Sequence, residues 1–411
     1  AGGGHRPQAI EAGHPQVSVV LATRRAGARA RSVAVMSTPL LLEPLTMRAA
    51  SARNRLWLPP MCMYSVDAED GVVTDWHVRH YAARALGGFG TVVVEATAVA
   101  PGGRLSPRDL GLWDDAQVEG HRRLVEAVHA GGALAGIQLG HGGRKAGTPP
   151  WLPTAEGGAA RTSTLAGWDL VAPSALAYPG HAVPRALSAA EAHEVADAFA
   201  SAARRAVEAG YDLIELHGAH GYLIHQFLSP LSNEREDALG GSPEGRRRFA
   251  LETVRAVRRV LGEGPEGRVL GIRLSATDWV EGGLTGEDTA VLARELVVAG
   301  VDVLHISTAG NVPARFPTGP GYQVRFAAQV RQAVAAMTTT GGGSPVVVAV
   351  GRIESGAQAE QVLLTGQADA VAVGRYALRD PFAPLRWAHE LGVDGWQEAG
   401  FPAQYWRGTW A

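Results

Sequence analysis

Short, β-branched apolar runs recur along the chain from Leu56 onward: LWLPPM (56–61), TVVVEATAV (91–99), LAGIQLG (134–140), DLIELH (212–217), VLGIRLSA (269–276), DVLHIST (302–308), VVVAVG (346–351) and AVAVGR (370–375). Each is almost continuously apolar and does not alternate, as expected of strands covered on both faces. Helical stretches separate most of them. Ser188-Ala-Ala-Glu191 has capping-box spacing, in which the hydroxyl accepts from the N3 amide while the glutamate reaches back to the N-cap. The helix it opens closes at Gly210, where a left-handed residue is required, and Thr285 through Gly300 repeats the plan with Thr285 as N-cap. The junctions AGYDLIELH, AGVDVLHIS and TGQADAVAV each run helix end, glycine, acidic residue, strand, which is the mark of one β-α unit repeated. Eight such units between residues 56 and 375 predict a single-domain (β/α)8 TIM barrel. A doubly wound sheet is the alternative, but no G-x-G-x-x-G opens a helix after the first strand.

Two stretches fall outside this rhythm and read as surface loops, residues 148–167 and 311–321. Residues 1–35 also differ, with a single acid (Glu11) and Arg24, Arg25, Arg29 and Arg31 following VSVVLA. A secretory signal places its positive charge before the apolar core, so this order predicts a disordered extension, with an organellar leader as the alternative. The barrel domain is then 36–411, opening at Met36.

Composition narrows the chemistry. At 411 residues and 46% hydrophobic the chain can bury a large core, and a formal charge of −2 gives no electrostatic case for nucleic acid or an anionic membrane. One cysteine, Cys62, excludes an internal disulfide framework and a multi-cysteine metal site. No apolar run approaches the roughly 20 residues of a spanning helix, so a cytoplasmic protein is expected.

Barrel active sites form at the C-terminal ends of the strands. Read in order, those ends carry Pro60-Met61-Cys62-Met63-Tyr64, Glu95-Ala96-Thr97, Gln138 with HGGRK (141–145), His217, Arg273, Ser307, Gly351-Arg352 and Gly374-Arg375. Glycines after strands seven and eight let backbone amides approach a phosphate, and Arg375 offers it a planar fork. Arginines salt-bridged along the rim are the plainer alternative, but Arg273 adds to the positive charge at the same mouth and favours a phosphorylated ligand.

The stretch LHGAHGYLIHQFLSP (216–230) sets His217, His220, Tyr222 and His225 after strand four. One reading is a metal centre of His217, His220 and His305, as in a metal-dependent barrel hydrolase or aldolase. It lacks an adjacent carboxylate other than Glu215, and two arginines would oppose a dication. The other reading is a proton-handling site, with His225 structural because it lies beyond the motif.

PMCMYS (60–65), EATAV (95–99), GIQLGHGGRKA (136–146), HGAHGYLIHQFLSPLSNER (217–235), GGSPEGRRRF (240–249), IRLSA (272–276) and VGRYALRDP (373–381) together resemble the Old Yellow Enzyme family, nearest its YqjM-like, thermophilic-like bacterial ene-reductases. The resemblance runs in order from about Leu40 to the C-terminus. It implies a TIM barrel that binds FMN non-covalently, is reduced by NADPH or NADH, and reduces activated alkenes such as α,β-unsaturated carbonyls, maleimides or nitroalkenes. Carried over by position, it implies that Pro59, Pro60, Met61, Cys62, Ala96, Gln138 and Arg273 hold the isoalloxazine. Gly351, Gly374 and Arg375 would hold the phosphate, with Ser307 a weaker candidate. His217 and His220 would bind the substrate's activating oxygen, Tyr222 would donate the proton, and Tyr64 would lie over the substrate. Cys62 would tune the flavin without acting as a covalent nucleophile. Arg407 in the tail QYWRGTW (404–410) would reach a neighbouring subunit's site, making the protein a homodimer or homotetramer.

The residue types suit that chemistry on their own. Two imidazole N–H donors aimed at a carbonyl oxygen favour the transition state in which negative charge gathers there, and a phenol holds its proton through the physiological range. Three departures from the family pattern stand out. Pro59 replaces a small hydroxyl residue, Leu239 and Gly245 replace a tyrosine and an asparagine, and the 148–170 loop is long and carries Trp151 and Trp168.

Overall fold

The structure is a computed structural model that describes residues 1–3, 38–153 and 163–410. Eight parallel strands close into a barrel in sequence order. They are β1 (Leu56–Leu58), β2 (Thr91–Ala98), β3 (Leu134–Gly140), β4 (Leu213–Gly218), β5 (Val269–Ser275), β6 (Val303–Ser307), β7 (Val346–Val350) and β8 (Ala370–Ala372). β8 pairs with β1 through Val371–Leu56 and completes the ring. All eight expected runs are strands, and the (β/α)8 barrel is established. The expectation of a disordered extension over 1–35 falls almost wholly on residues outside the described set.

The outer ring comprises α1 (Asp75–Leu86), α2 (Val118–Ala130), α3 (Ala189–Ala209), α4 (Pro243–Leu261), α5 (Gly286–Val298), α6 (Val324–Val334), α7 (Gly356–Leu364) and α8 (Ala383–Glu390). Ser188 and Glu191 form the capping box of α3, and Gly210 ends it at φ 100°. Thr285 caps α5 with Asp288 in the reciprocal position. At Gly245, one of the departures, a Cβ would collide with the carbonyl of Gly240, so the start of α4 packs too closely for a side chain there.

Two apolar layers hold the barrel. One lies between strands and helices; the other fills the lower barrel with Trp57, Val93, Leu213, Val269, Val303 and Val346. The hairpin Leu45–Met47/Ala50–Ala52 adds Leu45 and Met47 to that lower cluster and plugs its N-terminal end. Beneath the ring, Asp302 is buried and accepts from Arg48, Arg258 and the amide of Leu270 at 2.7–2.9 Å. Moving up the strands in steps of two, the inward positions change from apolar to polar: Leu213, Glu215, His217 on β4, and Val303, His305, Ser307 on β6. The polar end is the C-terminal mouth, where the site forms.

Candidate active site

The mouth holds a cavity of about 320 Å³ lined by Pro59, Pro60, Met61, His220, Arg273, Ser307, Tyr322, Gly351, Gly374 and Arg375. A narrower one beside it is lined by Ala96, Asp109, His141, His217 and Tyr222. A wider open groove of about 670 Å³ lies on the outer ring between α4 and α5, away from the strand ends, and carries none of the candidate residues.

His217 lies one residue before the end of β4, and its ring lies 5.2 Å from that of His220 and 4.7 Å from that of Tyr222, centroid to centroid. The Nδ1 of His217 accepts the Ala219 amide at 3.3 Å, so its proton resides on Nε2. Nε2 of His220 is 2.8 Å from the Ser307 hydroxyl. Burial, then the nearby Arg273 guanidinium, holds both imidazoles well below the ordinary histidine pKa, so both are neutral. Burial and the neighbouring Cys62 and Asp109 push the Tyr222 phenol up.

His225 is fully buried and turned away from the pair of His217 and His220. Its Nδ1 accepts the Gly221 amide at 2.9 Å and its Nε2 is 3.1 Å from Asp278 Oδ1, which clamps the loop that carries His220 and Tyr222. His305 does not join the histidine pair. It is bound to Glu215 at 2.8 Å within the barrel, and Glu215 also accepts from Gln138 Nε2 at 2.7 Å. No three His, Cys, Asp or Glu side chains converge on a metal-ligating position among the described residues.

The segment after β1 is held from β2. A bulge between Val94 and Ala96 turns Glu95 away from the barrel interior, where it accepts from the Met63 amide at 3.0 Å and the Tyr81 hydroxyl at 2.8 Å. This tether sets Cys62 and Tyr64, whose φ is 53°. Tyr64's phenol is raised by burial and by Cys62 and Tyr222, which places the three together. Burial, with Asp109 and Glu95 near, keeps the Cys62 thiol protonated.

Arg273 is buried, and no hydrogen bond to its guanidinium is formed among the described residues; its Nε is shielded from solvent without a partner. The charge of so costly a group is aimed into the larger cavity. Arg375 also lines that cavity. Arg352 lines it too, but donates to the Thr318 carbonyl at 2.7 Å and lies 3.8 Å from Glu354, as in the plainer rim reading. Ser307 faces His220 and Gln323. Arg407 sits in the turn Ala403–Gly408 and lines neither cavity.

Sequence reasoning missed Asp109, buried beside Tyr222 with its carboxyl pushed up to about 8 by burial and then by Glu95. It also missed Tyr322 and Gln323 on the far rim. The signal for Asp109 was slight: one acid in SPRDLGL, a loop whose packing no periodicity reveals.

Paired neutral imidazoles, a phenol and a buried arginine with no hydrogen-bond partner among the described residues thus meet at the glycine-edged mouth of a closed parallel barrel. A family model described as the NADH:flavin oxidoreductase / NADH oxidase family matches residues 40–393, and the chain belongs to that family. The chain is 45% identical over 355 residues, 86% of this chain and 95% of the relative, to an NADPH dehydrogenase of Geobacillus sp. (strain WCH70). Among solved structures it is similar to morphinone reductase in complex with tetrahydroNAD, with TM-score 0.69, 31% identity, and coverage of 86% of this chain and 91% of that one. It is also similar to an old yellow enzyme homologue from Zymomonas mobilis, with TM-score 0.69, 27% identity, and coverage of 88% and 96%. The resemblance to the Old Yellow Enzyme type that the motifs implied is borne out, and with it FMN as cofactor and NAD(P)H as reductant.

The residues fit FMN. The unpartnered Arg273 and the backbone of Gly351 and Gly374 surround one cavity, where a Cβ on Gly374 would stand 3.2 Å from Met61 Sδ.

Proposed function

We propose that the enzyme reduces the carbon–carbon double bond of α,β-unsaturated carbonyls, maleimides or nitroalkenes. The observation that carries this reading is the meeting of two neutral imidazoles and a protonated phenol where the larger mouth cavity, which FMN would fill, adjoins the narrower one. FMN, when bound, supplies the hydride. His217, through Nε2–H, and His220 hold the activating oxygen and stabilise the charge that gathers on it. Tyr222 gives its proton to the α-carbon, and Tyr64 covers the substrate. Pro59, Pro60, Met61, Cys62, Ala96, Gln138 and Arg273 hold the ring system, and Gly351, Gly374 and Arg375 hold the phosphate. Gln138 spends its amide N–H on Glu215, which leaves its carbonyl oxygen free to accept from an imide. Ser307 serves better as the hydrogen-bond partner of His220 Nε2 than as a phosphate ligand.

The purified protein should show flavin absorption that bleaches anaerobically with NADPH and returns when an enone is added. A colourless protein holding stoichiometric zinc, or a bleached flavin that the alkene leaves unchanged, would overturn the reading.

The tail supports a homodimer or homotetramer. Tyr405, Trp406 and Trp410 are 45%, 51% and 41% exposed, and the Arg407 guanidinium rests 5.1 Å from the Trp406 ring centre. In this reading Arg407 completes a neighbouring subunit's substrate site. Truncation after Ala403 should raise the substrate KM and weaken the assembly; unchanged kinetics, or a fully active monomer of the intact chain, would refute it. No helix among the described residues is long and apolar enough to cross a membrane. A single free thiol, Cys62, suits the reducing cytoplasm.

A further inference from the structure

HGGRK, after β3, carries two basic side chains to which no role has been given. Lys145 Nζ donates to the carbonyl of His220 at 2.8 Å and to that of Gly310 at 2.9 Å. These carbonyls belong to two loops, one after β4 and one after β6, that meet backbone to backbone. A Cβ on Gly221 would collide with the Gly310 carbonyl, and one on Gly310 would lie 2.6 Å from the His220 Cα. His220, Gly221, Ala309 and Gly310 all have left-handed φ, at 58°, 73°, 65° and 98°. For His220 and Ala309 that conformation is strained and persists only where the surroundings enforce it. Two converging carbonyl oxygens repel, and a cation between them reverses the sign of the interaction.

The same ammonium lies 5.2 Å from the ring centre of Tyr222 and 4.6 Å from that of Tyr178. Both are within cation–π range of about 6 Å. A cation on a phenol face is held more strongly as the ring takes on charge, which happens as Tyr222 releases its proton.

We propose that Lys145 is a cationic positioning residue for the protonation step: its ammonium ties the His220 carbonyl to the loop after β6 and lies against the Tyr222 ring, so that Tyr222 delivers its proton efficiently only while Lys145 is charged. This rests on the ene-reductase reading. The groups that face Lys145 are its neighbour Arg144, the rings of Tyr178 and Tyr222, and the imidazoles of His181, His217 and His220. No carboxylate pairs with it among the described residues. Burial, then Arg144, pulls its pKa down to about 8. The ammonium is therefore complete below that pH and is lost as pH rises through it, while the phenol of Tyr222, shifted upward, keeps its proton.

The test is reoxidation of the reduced holoenzyme by 2-cyclohexen-1-one, followed by rapid mixing from about pH 6 to 10, the span over which a lysine so shifted titrates. The wild-type rate should fall as pH passes about 8. Lys145→Met should be slower at neutral pH by about thirtyfold, the scale of a desolvated cation–π contact, and flat across the range. Lys145→Arg should restore the neutral rate and carry it to high pH. A flat wild-type profile, or an alkaline fall that persists unchanged in Lys145→Met, overturns the proposal. Asp109, beside Tyr222, has its carboxyl pushed up to the same region, so the wild-type fall supports the proposal only when Lys145→Arg or Lys145→Met removes it. If Tyr222→Phe does not slow enone reduction, the functional reading itself has failed; if it does and the Lys145 variants behave as wild type, only this inference has.

Discussion

Tyr222→Phe should slow reoxidation of the reduced enzyme by an enone by roughly 10²–10⁴-fold, the usual worth of a positioned general acid. The phenol lies 4.7 Å, ring to ring, from His217 and shares a narrow cavity with it and with Ala96. Its raised pKa, caused first by burial, means that it arrives protonated at every working pH. Reduction of the flavin by NADPH needs no proton from this residue and should change little. The two half-reactions therefore separate in a stopped-flow experiment. Nitroalkenes should suffer least, because their carbanions are stable enough to leave the site unprotonated. Equal slowing of both half-reactions, or an unchanged rate with enones, would remove Tyr222 from the mechanism. A tyrosine that only covers the pocket would show the second outcome, since phenylalanine fills the same space.

The barrel was legible because its strands are buried on both faces. A run such as TVVVEATAV can be little else than an interior strand, and the junction glycines and caps mark where each helix stops. The candidate residues could be picked out for the same reason: strand ends are fixed once strands are, His217 and Arg273 lie within two residues of the ends of β4 and β5, and Gly351 follows β7. What stayed hidden depends on direction. Glu95 lies in an apolar strand, yet a bulge turns it outward to hold the Met63 amide. Ser307 ends β6 and lines one cavity with Gly351 and Gly374, but turns its hydroxyl to His220. Lys145 lies in a quoted motif, yet its role comes from two loops 75 and 165 residues away in sequence. Left-handed His220 and Ala309 carry no local signal, because packing and not propensity puts them there.

His217→Leu should lower kcat/KM for an enone by about 10²–10³, the loss seen when one oxyanion donor is removed from an otherwise intact site. Leucine approximates the buried volume, so the barrel should stand and the flavin should stay bound. The two histidines are not equivalent. The Ala219 amide occupies Nδ1 of His217 and makes Nε2–H a donor regardless of its other neighbours. His220 can offer Nδ1–H only when Ser307 donates to its Nε2, so its part depends on a hydroxyl that can turn. Losing His217 should therefore cost more than losing the Ser307 hydroxyl in Ser307→Ala. The wild-type pH profile carries a second check. Both imidazoles have pKa values held well below the ordinary histidine value, first by burial and then by Arg273, so acid should not protonate them until far below that value. Activity with an enone should accordingly stay level as pH falls through about 6.5, where an unperturbed histidine would titrate. A loss centred there in wild type, absent from His217→Leu, would show that His217 works as an imidazolium and would reverse its assignment as a neutral donor.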